Sequence, residues 1–200
     1  MPLISVRKLT DDVSLGLWKI DENVDEFCNR FPYLGQYRSR VESLYASEPR
    51  RLEFLAVRAL LHTMAGPDAR EIRHTDSGRP MLSGWQISIS HTRGFAALIL
   101  SREKSVAVDI EFVSNRVDRV ADRFLRPDEQ APDTKSRLIV WSAKETVYKY
   151  FSDDDLRYHE MQSLVLPNGI CVVVNFKRMV SIPVTYELTS DYVLTYAYDE

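Results

Sequence analysis

Apolar positions along the 200-residue chain switch several times between alternation and helical spacing, and each switch marks a predicted element. Ile4 and Val6, then Val13, Leu15 and Leu17, alternate loosely around a break at Thr10-Asp11-Asp12, which predicts a strand or hairpin over Leu3 to Ile20. Helical spacing begins after Asp21, with a short helix over Val24 to Arg30 that ends near Pro32. Leu52, Leu55, Ala56, Ala59 and Leu60 form the clearest helical stripe; Pro49 suits its first turn, and Gly66 and Pro67 stop it. Beyond it, EIRHTDSGRPML reads as a strand running into a turn at Asp76-Ser77-Gly78, with Arg79 held at the turn and Pro80 fixing the exit.

Alternation then returns. In WQISISHT, Ile87 and Ile89 face one way and Ser88 and Ser90 the other, with His91 at the strand end. Phe95 to Leu100 is a buried strand by composition, and the turn at Arg102-Glu103-Lys104 leads into SVAVDIE at Ser105 to Glu111. Three successive strands with short polar turns predict an antiparallel meander with a helix packed on it. Val117 to Phe124 is helical by spacing, and a longer helix over Lys135 to Phe151 ends in a solvated loop at Asp153-Asp154-Asp155. Pro167-Asn168-Gly169 is a hairpin turn, and PVTYELTSDYVLTYAYD supplies two more strands. The expected class is α+β, in two pseudo-equivalent halves of helix plus small antiparallel sheet, residues 1–104 and 105–200.

Composition narrows the function classes. A net charge of -3 argues against a protein dedicated to nucleic acid, although basic residues can still cluster around a small anion. Cys28 and Cys171 form no C-x-x-C, so neither zinc nor a disulfide framework is expected, and a reducing compartment suits them. No apolar run approaches the roughly 18 residues of a membrane helix, and the expected location is cytoplasmic, with no membrane partner.

The candidate chemistry centres on the Ser105–Glu111 strand and the Trp141–Lys149 helix. Strand alternation points Asp109 and Glu111 the same way, with Val106, Val108 and Ile110 on the opposite, buried side. Two carboxylates so close call for a cation, and a hard divalent ion with oxygen ligands is the usual one. On the helix, Glu145 and Lys149 meet one turn apart, adding a third carboxylate and an ammonium. Arg51 and Arg58, seven apart on the earlier helix, share nearly one face and could grip a phosphate. Each piece also has a plain structural reading: a solvated sheet face, a surface ion pair, a polar helix face and, for His91, a hydrogen-bonder at a strand end.

Five ordered motifs change that balance. RRLEFLAVR, SGRPML, ISISHT, VAVDIE and WSAKETVYK, spread between Arg50 and Lys149, resemble the 4'-phosphopantetheinyl transferase superfamily of the type that activates surfactin and enterobactin synthetases. They are similar to its arginine-bearing helix, its G-K/R-P turn, its I-S-H-S/T strand end, its G-x-D-x-E strand and its W-x-x-K-E-x-x-x-K helix. The resemblance implies Mg²⁺-dependent transfer of the phosphopantetheine arm of coenzyme A to a serine of an apo acyl or peptidyl carrier protein. It implies Asp109, Glu111 and Glu145 as magnesium ligands and Lys149 as a phosphate contact. It further implies Arg79, Ser90 and His91 as coenzyme A contacts, with Arg51 and Arg58 near the nucleotide 3'-phosphate. The nucleotide side then falls to 1–104 and the metal carboxylates to 105–200, in a chain expected to be monomeric.

Within that reading Glu145 takes the serine proton while Lys149 and His91 balance charge, and Glu129 is a rival base. Two departures stand out: Ala107 replaces the strand glycine, and YFSDDDL replaces a glycine-rich segment after Lys149. A degenerate coenzyme A or nucleotide binder without transfer, and a metal-dependent phosphohydrolase, remain as alternatives.

Overall fold

A computed structural model describes residues 3–66 and 71–199; Pro67, expected as a helix stop, lies outside them. In chain order the elements are strands β1 (Leu3–Lys8) and β2 (Ser14–Lys19), helices α1 (Val24–Arg30), α2 (Arg38–Leu44) and α3 (Glu48–Ala65), and short strands β3 (Arg73–His74) and β4 (Pro80–Met81). Strands β5 (Gln86–Thr92), β6 (Phe95–Ser101) and β7 (Val106–Phe112), helices α4 (Ala121–Phe124) and α5 (Thr134–Tyr150), and strands β8 (Met161–Val165), β9 (Ile170–Asn175), β10 (Val180–Leu188) and β11 (Tyr192–Tyr198) follow. The class is α+β, with antiparallel sheets packed with helices.

Two larger sheets result: β1-β2-β6-β5, and β7-β11-β10-β9-β8. One long helix covers each. Leu55, Ala56, Ala59 and Leu60 of α3 are fully buried against Trp18, Leu98 and Leu100. The approach is close at Gly16 on β2, where a Cβ would stand 2.5 Å from Met64 Sδ of α3 and 3.0 Å from Leu60 Cδ2, so a side chain there would force those two side chains to repack. On the second sheet Leu138, Ile139, Ala143 and Val147 of α5 pack on Cys171, Val173, Val184 and Val193. α5 starts on a capping box in which Asp133 accepts from Ser136 N–H at 2.9 Å, which satisfies an otherwise orphaned first-turn donor.

A third core joins the sheets. β6 is buried on both faces: Ala96, Leu98 and Leu100 face α3, while Phe95, Ala97 and Ile99 meet Val106, Val108 and Ile110 of β7 and Leu194 and Tyr196 of β11. This is the apolar side of β7 that alternation predicted. The other side, with Asp109 and Glu111, is turned to α5.

The meander expected over β5, β6 and β7 stops after two strands. β7 leaves the first sheet and ladders antiparallel with β11, Asp109 opposite Thr195. It still lies along β5, in the same direction, but side chains make the link: Ser88 Oγ accepts from Val108 N–H at 3.2 Å and Thr92 Oγ1 from Phe112 N–H at 3.2 Å. Hydroxyls inserted between the two edge strands hold them too far apart for a backbone ladder and still pair their donors. The seam opens there.

Candidate active site

Asp109 sits in that seam, 3% exposed, with three donors on its carboxylate. Ser90 Oγ and Lys149 Nζ each lie 2.8 Å from Oδ1, and Ser142 Oγ lies 2.8 Å from Oδ2. Lys149 also donates to Val108 O at 3.0 Å. One side chain thus ties β5, β7 and α5 together. Behind it Ser142, Thr146 and Thr195 form a fully buried hydroxyl chain, with Oγ–Oγ1 distances of 2.8 and 2.7 Å to Thr195.

Glu111, two residues along β7, accepts from Trp141 Nε1 at 2.8 Å. Burial, and then the nearby Asp109 carboxylate, push it up to about 7, with Glu145 adding to the repulsion. Glu145 accepts from the Tyr158 hydroxyl, and its carboxyl is raised by burial, with Asp109 again opposing its charge. Trp141 packs between Phe124 and Tyr158, ring centroids 5.1 Å from each, so its indole N–H is aimed by a rigid aromatic stack. The expected pairing of Glu145 with Lys149 along α5 gives way to separate partners: Tyr158 for the acid, Asp109 for the lysine.

The three carboxylates influence one another electrostatically, yet among the described residues no group of three His, Cys, Asp or Glu side chains is placed to hold a metal ion. Lys149 supplies the positive charge on Asp109. In chemistry the donors suit Mg²⁺: they are all oxygen and anionic, and the Asp109 charge raises the proton affinity of both Glu111 and Glu145.

Glu129 is a different matter. Its side chain is fully buried, 2.7 Å from Lys144 Nζ, and it accepts from Arg126 N–H at 2.7 Å and Ser163 N–H at 2.6 Å. Lys144 also donates to Phe124 O and Tyr158 O, and burial lowers its proton affinity. With three donors on its two oxygens and its side chain fully buried, Glu129 anchors the segments around α5.

Two recesses flank the seam. One, of about 230 Å³, brings Arg79 and Lys149 together with Ser88, Tyr148 and Tyr150. Arg79 meets Asp153 at 3.3 Å and Asp154 pairs with Arg178, while Asp153 and Asp155 stay exposed in the solvated loop expected there. The other, of about 170 Å³, is lined by Arg50, Glu53, Arg58, His74 and His91. Arg58 is 7% exposed, its guanidinium 3.1 Å from the Phe54 ring centroid, and burial lowers it to about 10. Its Nε has no partner among the described residues, which suits an anion. Arg51 does not converge with it: its Nε donates to Tyr45 O at 2.8 Å, and Arg50 is the arginine that reaches His91, at 3.2 Å.

Ser142, Tyr158, Arg50 and Glu53 carried no assigned role on sequence grounds. Ser142 and Thr146 are polar at i, i+4 in an apolar helix, a usable signal; Tyr158 follows a loop and offers none.

Residues 105–197 match the model of the 4'-phosphopantetheinyl transferase superfamily. With the fold and the acidic seam, this match and the relatives below support the class of an enzyme of phosphopantetheinyl transfer. Two curated relatives, each a 4'-phosphopantetheinyl transferase AcpT, from Escherichia coli K12 and O157:H7, are 28% identical over 164 residues, covering 72% of this chain and 81% of theirs.

Proposed function

We propose that this chain moves the 4'-phosphopantetheine arm of coenzyme A onto a serine of an apo acyl or peptidyl carrier protein, with Mg²⁺ required. What supports this reading is the electrostatic coupling of Asp109, Glu111 and Glu145, with Lys149 bonded to Asp109. Asp109, Glu111 and Glu145 would hold the ion. Bound there, Mg²⁺ supplies charge neutralisation to a pyrophosphate.

Glu145 accepts the proton of the serine hydroxyl, and its raised proton affinity favours that role. The serine oxygen forms the new bond to phosphorus, the bond to adenosine 3',5'-bisphosphate breaks, and the leaving group carries away the electron pair. Lys149 and His91 balance the charge on the phosphates, Ser90 and Arg79 contact coenzyme A, and Arg58 faces the 3'-phosphate. Arg51 serves that phosphate only by releasing Tyr45 O. Residues 1–104 give the nucleotide side and residues 105–200 the carboxylates. A single chain holds the whole set, so a monomer suffices, and the cytoplasm, where carrier proteins and coenzyme A meet, is its place; no helix among the described residues is long and apolar enough to cross a membrane.

The test is to incubate the protein with coenzyme A, Mg²⁺ and a panel of apo carriers and weigh the carriers. A gain of one arm per carrier, with one adenosine 3',5'-bisphosphate released, is the expected result. Coenzyme A consumed without a gain means a phosphohydrolase; neither change across the panel means a binder.

A further inference from the structure

Tyr158 lies outside every motif read from the sequence, yet its hydroxyl is the one hydrogen-bond partner of the Glu145 carboxylate among the described residues. It donates to Oε1, and Oε2 has no partner among those residues. Glu111 is held in the same way by the neighbouring aromatic group, its Oε1 accepting from Trp141 Nε1 at 2.8 Å. The Trp141 and Tyr158 rings lie 5.1 Å apart and 33° from parallel, so one packed pair gives a donor to each of two acids.

Tyr158 is itself fixed. It opens a single 3₁₀ turn, Tyr158–Glu160, in which every carbonyl is taken. Tyr158 O accepts from Lys144 Nζ at 3.2 Å, His159 O from Arg126 Nη1 at 2.6 Å, and Glu160 O from Phe176 N–H at 3.0 Å. Lys144 precedes Glu145 on α5 and is paired with Glu129, so the anchor of the helix is also the anchor of the turn. A glutamate on a helix otherwise samples several rotamers, and ordering it at the moment of reaction costs entropy. Here a rigid donor orders it beforehand.

We propose that Tyr158 is a positioning residue for Glu145: its hydroxyl, aimed by the Trp141 ring and the anchored turn, holds Oε1 and leaves Oε2 to take the serine proton. This rests on the reading of Glu145 as the proton acceptor. Tyr158 touches no substrate itself; it acts through Glu145. A tyrosine that only filled space against Trp141 would do so equally well without its hydroxyl.

The experiment combines steady-state kinetics of Tyr158→Phe, Glu145→Gln and the double variant, per folded molecule, with ¹³C NMR of the Glu145 carboxyl without substrate. Tyr158→Phe keeps the ring and removes only the donor. It should lower kcat about 10- to 100-fold with the KM for coenzyme A within about twofold, and it should move the Glu145 resonance. Glu145→Gln should lose about 10²-fold or more, and adding Tyr158→Phe to it should slow transfer by less than about twofold, because the two act as a unit. A kcat within about twofold of native in Tyr158→Phe, an unmoved resonance, or a full multiplicative loss in the double variant overturns the role given to Tyr158. A near-native rate in Glu145→Gln sinks instead the reading of Glu145 beneath it, and the resonance, which needs no turnover, tells the two failures apart.

Discussion

Lys149 Nζ stands 2.8 Å from Asp109 Oδ1, joining the end of α5 to the acidic face of β7. The ammonium is the charge that lets a carboxylate 3% exposed exist beside two others. Lys149→Met should lower transfer about 10²- to 10³-fold, the loss typical of one preorganised charge on a reacting phosphate. The same variant should melt at a lower temperature without divalent cation and gain more from adding one. Rates at saturating coenzyme A and melts with and without Mg²⁺ check both halves; a native rate would mean the lysine is only structural.

The buried pair of Glu129 and Lys144 makes a separate prediction. Removing one partner strands a charge in the core, so Lys144→Met should cost about 3–5 kcal/mol in urea unfolding. Replacing both, with Glu129→Leu, should recover much of that loss. Glu129→Gln, measured per folded molecule, should transfer at a rate near native, because the acid is spent on Lys144 and two backbone amides. A rate lost in proportion to a missing base would restore Glu129 to the reaction.

Much of this site was legible from period alone. Alternation puts Asp109 and Glu111 on one face of β7, because a strand repeats every two residues whatever it pairs with. Pairing is what period cannot give: β7 follows β6 across a short turn, yet its backbone partner is β11, some 80 residues on in the chain, and the Ser88 and Thr92 hydroxyls keep β5 from laddering with it. The same limit applies to Arg51. Spacing by seven shows that two arginines share a side of α3, but which guanidinium reaches His91 depends on rotamers and on the competing Tyr45 carbonyl. Tyr158 lies beyond a loop, and only packing against Trp141 brings its hydroxyl to Glu145.

Glu111 gives the metal-free protein a pH dependence with a definite sign. Its folded value of about 7 lies above the ordinary 4.5, so the folded state holds the proton more tightly than the unfolded chain does. Its contribution is full below about 4.5 and is lost as pH rises through about 7. Thermal melts in chelator should show stability falling over that window, and Glu111→Gln should flatten the slope. A slope of the opposite sign would mean that Glu111 is already compensated by charge.

Ser142 tests the floor of the site. Its hydroxyl serves Asp109 Oδ2 and Thr195 at once, with no exposure, so Ser142→Ala should cost about 1–3 kcal/mol in denaturant unfolding. It should also weaken divalent-ion binding, because Asp109 loses one of the bonds that aim it.

The account stands or falls on whether Asp109, Glu111 and Glu145 hold a divalent ion that transfer needs. The direct measurement is the rate of arm transfer to an apo carrier against free Mg²⁺, with chelator as the zero point. The account predicts no transfer in chelator, saturable recovery with Mg²⁺, and a recovery shifted to much higher Mg²⁺ in Asp109→Asn; transfer that persists undiminished in chelator would contradict it.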